Sequence, residues 1–368
     1  MKQVLKKGSI IVVKVGSSIL TAGSNQLDKE RLSALTSQVS NLKREGYAVV
    51  IVSSGAIACG MQRLGYKERP RTIVESSAAA AIGQALLMHD YERSFQAYGY
   101  CTAQILLTSD GLHDRTRYLN ARNTIMHLLE KGNVVPIVNE NDAVSTDEIK
   151  FGDNDKLSSL VATLIDAHLL IILSDVDGFK DAQGAVIREI HKIDSHILGL
   201  AGNTSKETSV GGMITKLEAA KIVTNSGIPM VIANGNDPEV LLKIARAEEV
   251  GSWFLPREGK MPGKKRWIAF SCRNCGKIIV DDGAREAIIK KGRSLLAIGI
   301  VSVEGEFSFG DLVVICDKNH VEIARGLSNY SRAELEKIKG MKTDSFEAVL
   351  GYYSYDEVIH RDNLVMLR

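Results

Sequence analysis

An α/β protein with a layered, mostly parallel sheet and helices on both faces is what this chain predicts. Short β-branched apolar runs recur along residues 1–255, and helical patterns fill the intervals between them. A change of texture after a basic linker then adds a small, mainly-β domain at 271–368. A length of 368 residues suits two domains.

The elements follow in order. SIIVVKV (9–15) is almost continuously apolar, as a strand buried on both faces requires. A helical pattern over 28–45 leads to the strand YAVVIVSS (47–54), and one over 75–97 leads to CTAQILL (101–107). The pattern at 116–131 precedes NVVPIV (133–138), where Pro136 lacks a ladder donor and predicts a bulge or strand end. Helix 155–166 precedes HLLIILS (168–174), and helix 213–226 precedes PMVIA (229–233). PREGKMPGKKRW (256–267), with its prolines, glycines and basic excess, reads as the core of a linker spanning 256–270. Beyond it, LLAIGIVSV, EGEFSFGD and LVVIC are short strands and turns, with helices near 283–291 and 331–340.

A net charge of +2 gives no global attraction to nucleic acid or acidic membranes. No apolar run approaches the roughly 18–20 residues that span a bilayer. The N-terminal MKQVLKKGSIIVVKVG runs into a strand with no small-residue cleavage site, so it reads as mature protein. Five cysteines without a secretion signal point to reduced thiols in a cytoplasm. Cys272 and Cys275 form a CxxC, but no second pair completes a zinc set, and plain thiols are the expectation. No protein ligand for a metal is assigned.

Ligands of α/β sheets bind at the carboxyl ends of strands. Here three ends carry small or polar residues: KVGSSIL with Gly16, VSSGAIACG with Ser54, and SDVDG with Ser174 and Asp175. Neither GxxxxGK[ST] nor GxGxxG occurs, so phosphate must be held in some other way. Lys14 lies inside an apolar strand, where it either snorkels to the strand end or aims its charge at a transferring phosphoryl group. Lys216, in SVGGMITK, follows Gly211 and Gly212. This glycine pair either opens a helix toward a phosphate or merely caps it with Lys216 solvated. Between two apolar elements lies NENDAVSTDEIKFGDNDKL (139–157), with six carboxylates, three asparagines and two lysines. Asn139 and Asp142 suit an ammonium, Asn154 could donate to a carboxylate, and Asp155 could hold two lysines. The alternative is a solvated surface loop, which several of these acids, such as Asp147 and Glu148, would suit.

These pieces together resemble the amino acid kinase family, and within it the members that phosphorylate glutamate in the first step of proline synthesis. The resemblance runs from KVGSSIL through VSSGAIA, LLTSDGLHDRTRYLNARNT, PIVNENDAVSTDEIKFGDNDKLS, LSDVDG and GGMITK to KKRW. VDDGAREAIIKKGRSLLAIGIVSVEGEFSFGDLVVI and IARGLSNYS are similar to a PUA domain. The resemblance implies ATP-dependent phosphorylation of the glutamate γ-carboxylate, with Mg²⁺ bridging the β- and γ-phosphates. It implies that Lys14 and Lys216 stabilise the phosphoryl group and that Asp155 organises them. Ser54, Asn139, Asp142 and Asn154 would bind glutamate. Lys14, Gly16, Ser174, Asp175, Gly211, Gly212, Met213 and Lys216 would line the nucleotide site. A homo-oligomer (dimer or tetramer), feedback by proline and a glutamyl-phosphate reductase as partner are further implications.

Two departures stand out. Val210 replaces the family's usual Thr or Ser before the glycine pair, removing a hydroxyl near the phosphates. FKDAQGAVI, after SDVDG, is shorter than usual and lacks a proline, close to where the nucleotide is expected. A sister kinase for another small carboxylate or phosphate is disfavoured by GDNDKLS and the C-terminal domain. RNA binding as the main role is disfavoured by charge, since residues 271–368 hold 14 Lys+Arg against 15 Asp+Glu.

Overall fold

The computed structural model describes residues 5–21, 26–68, 70, 72–108, 111–144, 153–202, 207–256, 268, 276–352 and 354–366. The chain divides into two compact units, Met1–Lys260 and Met261–Arg368. Cys272, Cys275 and all but the first residue of the 256–267 linker stretch lie outside the described residues.

The first unit is built on eight strands: β1 (Ile10–Val15), β2 (Ala48–Ser53), β3 (Cys101–Leu107), β4 (Val134–Glu140), β5 (Leu169–Ser174), β6 (Glu189–Ile190), β7 (Met230–Asn234) and β8 (Ser252–Phe254). Their order is β3-β4-β2-β1-β5-β7-β8-β6, and only the β7–β8 pairing is antiparallel. Sequence-predicted strands thus form the sheet, and the three small or polar strand ends fall on neighbours β2, β1 and β5. Backbone bonds tie those ends together: Ser54 N donates to Val15 O at 3.1 Å and Gly16 N to Leu173 O at 3.4 Å.

Alternation sends Ile11, Val13 and Val15 of β1 into one apolar cluster, with Leu35, Val39, Tyr91 and Phe95. That face is covered by α2 (Lys29–Arg44) and α4 (Ile73–Gln96). The first is capped by Asp28, whose side chain accepts from Glu30 N and Arg31 N, and the second by Thr72, which accepts from Glu75 N. Val12 and Lys14 point the opposite way. Against that side pack α6 (Asp153–Leu164) and, against α6, α8 (Glu207–Asn225).

Two expectations need correction. β3 is not buried on both faces: it is the sheet edge, and none of its residues is fully buried. Pro136 sits within β4, an interior strand, facing Ala103 of β3; pairing of β4 to β2 starts only at Ile137, once donors resume. The short helices α1 (Ser17–Thr21), α3 (Ala56–Leu64) and α9 (Val240–Ala245) are too brief to show a helical period in the sequence.

The second unit holds a sheet of β9 (Gly276–Val280), β10 (Ile300–Glu304), β11 (Leu312–Cys316), β12 (Glu322–Leu327) and β13 (Leu364–Met366), in the order β10-β9-β11-β12-β13. Its two longest helices, Asp282–Lys291 and Arg332–Ile338, match the predicted positions, and the second carries a Ser331–Glu334 capping box. Tyr330 and Phe346 meet edge to face in its core at 5.8 Å.

Helices α3 and α4 cross through glycine. A Cβ on Gly83 would stand 1.8 Å from Ala56 O, and one on Gly60 would stand 1.8 Å from Ala79 O. Both obstacles are backbone, so neither can rotate away. Gly83→Ala is therefore expected to lower stability by about 1–3 kcal/mol or more, read as a fall in Tm. Gly199→Ala, where a Cβ meets nothing within 4 Å, serves as the neutral control.

Candidate active site

Lys14 does not snorkel. It is 6% exposed, and the strand turns its side chain into the α6 layer. There its Nζ lies 2.6 Å from Asp155 Oδ1. The other carboxylate oxygen, Oδ2, lies 3.3 Å from Lys216 Nζ and accepts from Thr215 Oγ1 at 2.9 Å. Asp155 is 1% exposed in the first turn of α6, where the helix dipole favours a negative charge. The solvated-loop alternative thus fails for Asp155.

Burial pushes the Asp155 carboxyl up, but Lys14 and Lys216, with hydrogen bonds from Lys14 and Thr215, outweigh it and hold the group below its ordinary value. Burial pushes the Lys14 ammonium down; Asp155 opposes this and Lys216 adds to it. Two cations therefore share one buried anion, leaving a surplus positive charge in a dry site.

Gly211 and Gly212 do not open a helix. α8 starts at Glu207, so the pair lies in its second turn, and Lys216 folds back to donate to Gly212 O at 3.0 Å. Its position is set by this fold-back and by Asp155. A Cβ on Gly212 would lie 3.7 Å from Lys216 Nζ, and one on Gly16 would lie 3.6 Å from Lys14 Nζ. The glycines thus leave one flank of each ammonium free of side chain, a cradle of the kind a phosphoryl group needs.

Beside this cluster runs a chain of amides. Asn154 Nδ2 faces Ser54 Oγ at 2.9 Å, Ser53 O at 3.1 Å and Asn139 Oδ1 at 3.1 Å. Its two hydrogens are divided among these acceptors, so its NH2 is committed to the protein. Asn139 Oδ1 also accepts from Glu140 N at 2.9 Å, which occupies both lone pairs. Asn139 is 2% exposed and forms a wall of the site, with no oxygen lone pair left for an ammonium. Its Nδ2 donates to Gln84 Oε1 at 2.8 Å. Asp142 is half-buried in the Asn141–Val144 turn that follows β4.

At the end of β5, Ser174 is 7% exposed and donates to Asp175 Oδ1 at 3.1 Å, with Asp175 on the surface. Opposite Ser174 in register stands Asn234, whose Nδ2 donates to Asp177 Oδ1 at 2.8 Å. Met213 is half-buried on α8, two residues before Thr215. The altered segment after Gly178 closes as a tight hairpin: Lys180 bridges Val186, Asp181 N donates to Ala185 O at 2.8 Å, and Asp181 Oδ1 accepts from Gln183 N and Ala185 N. Asp147, Glu148 and the Val210 side chain lie outside what is described.

Thr215, Asn234 and Gln84 escaped sequence reasoning. Thr215 had a signal, standing next to Lys216 after a glycine pair; Gln84 and Asn234 had none beyond a polar residue in an apolar context.

The pattern of the amino acid kinase family matches residues 9–234, and that of the PUA domain matches 276–350. Over nearly its full length the chain is similar to the glutamate 5-kinase of Thermoanaerobacter sp. (strain X514), 49% identical over 363 residues covering 97% of both. It is 47% identical to the glutamate 5-kinase of Geobacter sulfurreducens over 370 residues, 99% of both. Among solved structures, carbamate kinase from Giardia lamblia bound to AMP-PNP is similar at a TM-score of 0.49 and 17% identity, over 68% of this chain and 99% of that one.

Two outcomes follow from the buried cluster. Asp155→Asn leaves two buried lysines without their anion and should cost about 3–5 kcal/mol in denaturant unfolding. If the Lys14 charge is used in turnover, kcat falls as pH rises through its lowered value, below the ordinary 10.5. The stability Asp155 contributes is present above the ordinary carboxyl value of 3.8 and is lost only as pH falls through its still lower folded value. A pH profile of kcat and of Tm reads both limbs.

Proposed function

The chain belongs to the amino acid kinase family, and from that membership we infer that it transfers the γ-phosphoryl group of ATP to the γ-carboxylate of glutamate. The products are γ-glutamyl phosphate and ADP, in the first step of proline synthesis. The observation that carries this inference at the level of chemistry is the Lys14–Asp155–Lys216 cluster at the carboxyl end of the sheet. A carboxylate is already a competent nucleophile near neutral pH, so no general base is needed. One of its oxygens bonds to the γ-phosphorus as the bond from that phosphorus to the bridging β,γ-oxygen breaks, and the electron pair leaves with ADP. What remains for the protein is positioning and charge neutralisation.

In this scheme Lys14 and Lys216 hold the phosphoryl oxygens, Asp155 holds the lysines and Thr215 holds Asp155. The bare flanks at Gly16 and Gly212 admit the phosphate. Ser174, Asp175, Gly211 and Met213 line the nucleotide site. Ser54, Asp142 and Asn154 face the amino acid, with Asn139 fixing Asn154. Among the described residues no group of three His, Cys, Asp or Glu is placed to hold a metal. Mg²⁺ bound with the nucleotide would supply further charge neutralisation.

An acyl phosphate hydrolyses readily, so a reductase that consumes it is the expected partner. Feedback by proline and assembly into a dimer or tetramer rest on the family resemblance alone. No described helix is long and apolar enough to cross a membrane.

Purified protein with ATP, Mg²⁺ and hydroxylamine should form γ-glutamyl hydroxamate with glutamate, and near-background amounts with acetylglutamate or aspartate. Formation with one of those instead would move the substrate to a sister kinase. Lys216→Ala should reduce kcat about 10²–10³-fold. An unchanged rate would remove Lys216 from the mechanism.

A further inference from the structure

The amide chain has a sense that its side chains did not choose. Ser53 O can only accept, so the Asn154 atom facing it must be NH2. Glu140 N can only donate, so the Asn139 atom facing it must be oxygen. Asn139 therefore turns its NH2 to Gln84, and Gln84 must answer with Oε1. Two backbone groups thus dictate what is left over. At one end Asn154 Oδ1, and at the other Gln84 Nε2, are buried without a hydrogen-bond partner.

Gln84 is 8% exposed, and a buried amide NH2 left unpaired is costly. The open ends differ in kind: Asn154 offers an acceptor and Gln84 a donor. An α-amino acid carries their complements, an ammonium and a carboxylate. Asn154 adjoins Asp155 in sequence, and Gln84 follows two hydrogen bonds farther along, through Asn139. Gln84 stands at the far end of the chain.

Resting on the glutamate kinase function above, we propose that Gln84 is a substrate-binding and specificity residue. Its Nε2 donates to the α-carboxylate of glutamate, while Asn154 Oδ1 accepts from the ammonium. Gly83, pressed against Ala56, fixes the helix face from which Gln84 reaches the site.

The test compares wild type, Gln84→Met and Gln84→Glu, the last keeping an oxygen toward Asn139 and replacing the NH2 donor by a carboxylate oxygen. Both variants should raise KM for glutamate about 10- to 100-fold, the worth of a hydrogen bond to a charged group, at unchanged KM for ATP. Inhibition by glutarate, which keeps both carboxylates, should weaken in step. Inhibition by 4-aminobutyrate, which keeps only the carboxylate that is phosphorylated, should not. Equal weakening for all three ligands, or none in either variant, overturns the proposal. If the wild type makes no γ-glutamyl hydroxamate, the assigned function fails, and glutarate binding by thermal shift in wild type and Gln84→Met still decides the role of Gln84.

Discussion

Two lysines closing on one buried aspartate is the interaction on which the rest of this molecule depends. In a low-dielectric interior each ammonium is costly alone, and Asp155 makes both tolerable. One anion cannot neutralise two cations, however. The residual positive charge is held where water cannot screen it, and it is directed along the bare flanks of Gly16 and Gly212. In the proposed scheme, structural necessity and phosphoryl affinity are the same imbalance seen from two sides. The three partners come from a strand and two helices far apart in sequence, so only the assembled layer creates the site.

Around this charge pair the protein arranges neutral amides. In the proposed scheme the lysines handle the phosphoryl group, and asparagine, serine and glutamine join Asp142 in addressing the amino acid. This division fits the chemistry, since further cationic side chains near the acceptor would compete with the lysines for its carboxylate. Backbone atoms at the ends of β2 and β4 orient the amides, so the sheet itself sets which atom each of them presents.

Much of this was readable in the sequence, and for identifiable reasons. Strands β1, β2, β4, β5 and β7 announced themselves because double-sided burial demands nearly unbroken apolar runs. Lys14 stood out as a charge inside such a run, with snorkelling to the strand end as the open alternative. Asp155 stood out through the acidic loop around it. What could not be read was set by tertiary contact. The glycine pair of α8 looked like a helix start, yet the helix begins four residues earlier. The edge position of β3 depends on strand order, which its apolar sequence does not encode. Gln84 looked like any polar residue on a long helix; its meaning comes from an asparagine 55 positions away. Asn139 and Asn154 were singled out for their residue type, but which atom each presents follows from the backbone they touch.

The alternation of β1 carries one last consequence. Lys14 reaches Asp155 because it shares a face with Val12, while Ile11, Val13 and Val15 enter the opposite cluster. A slip of a single residue in strand pairing would deliver the ammonium into the hydrocarbon beneath α2 and α4 and strip the aspartate of its partner. Misassembled chains should therefore be inert as well as unstable, with no weakly active intermediate between right and wrong. Turnover would then double as a proofreading signal, because the charge proposed to act on the phosphoryl group also reports that the central strand has threaded in register.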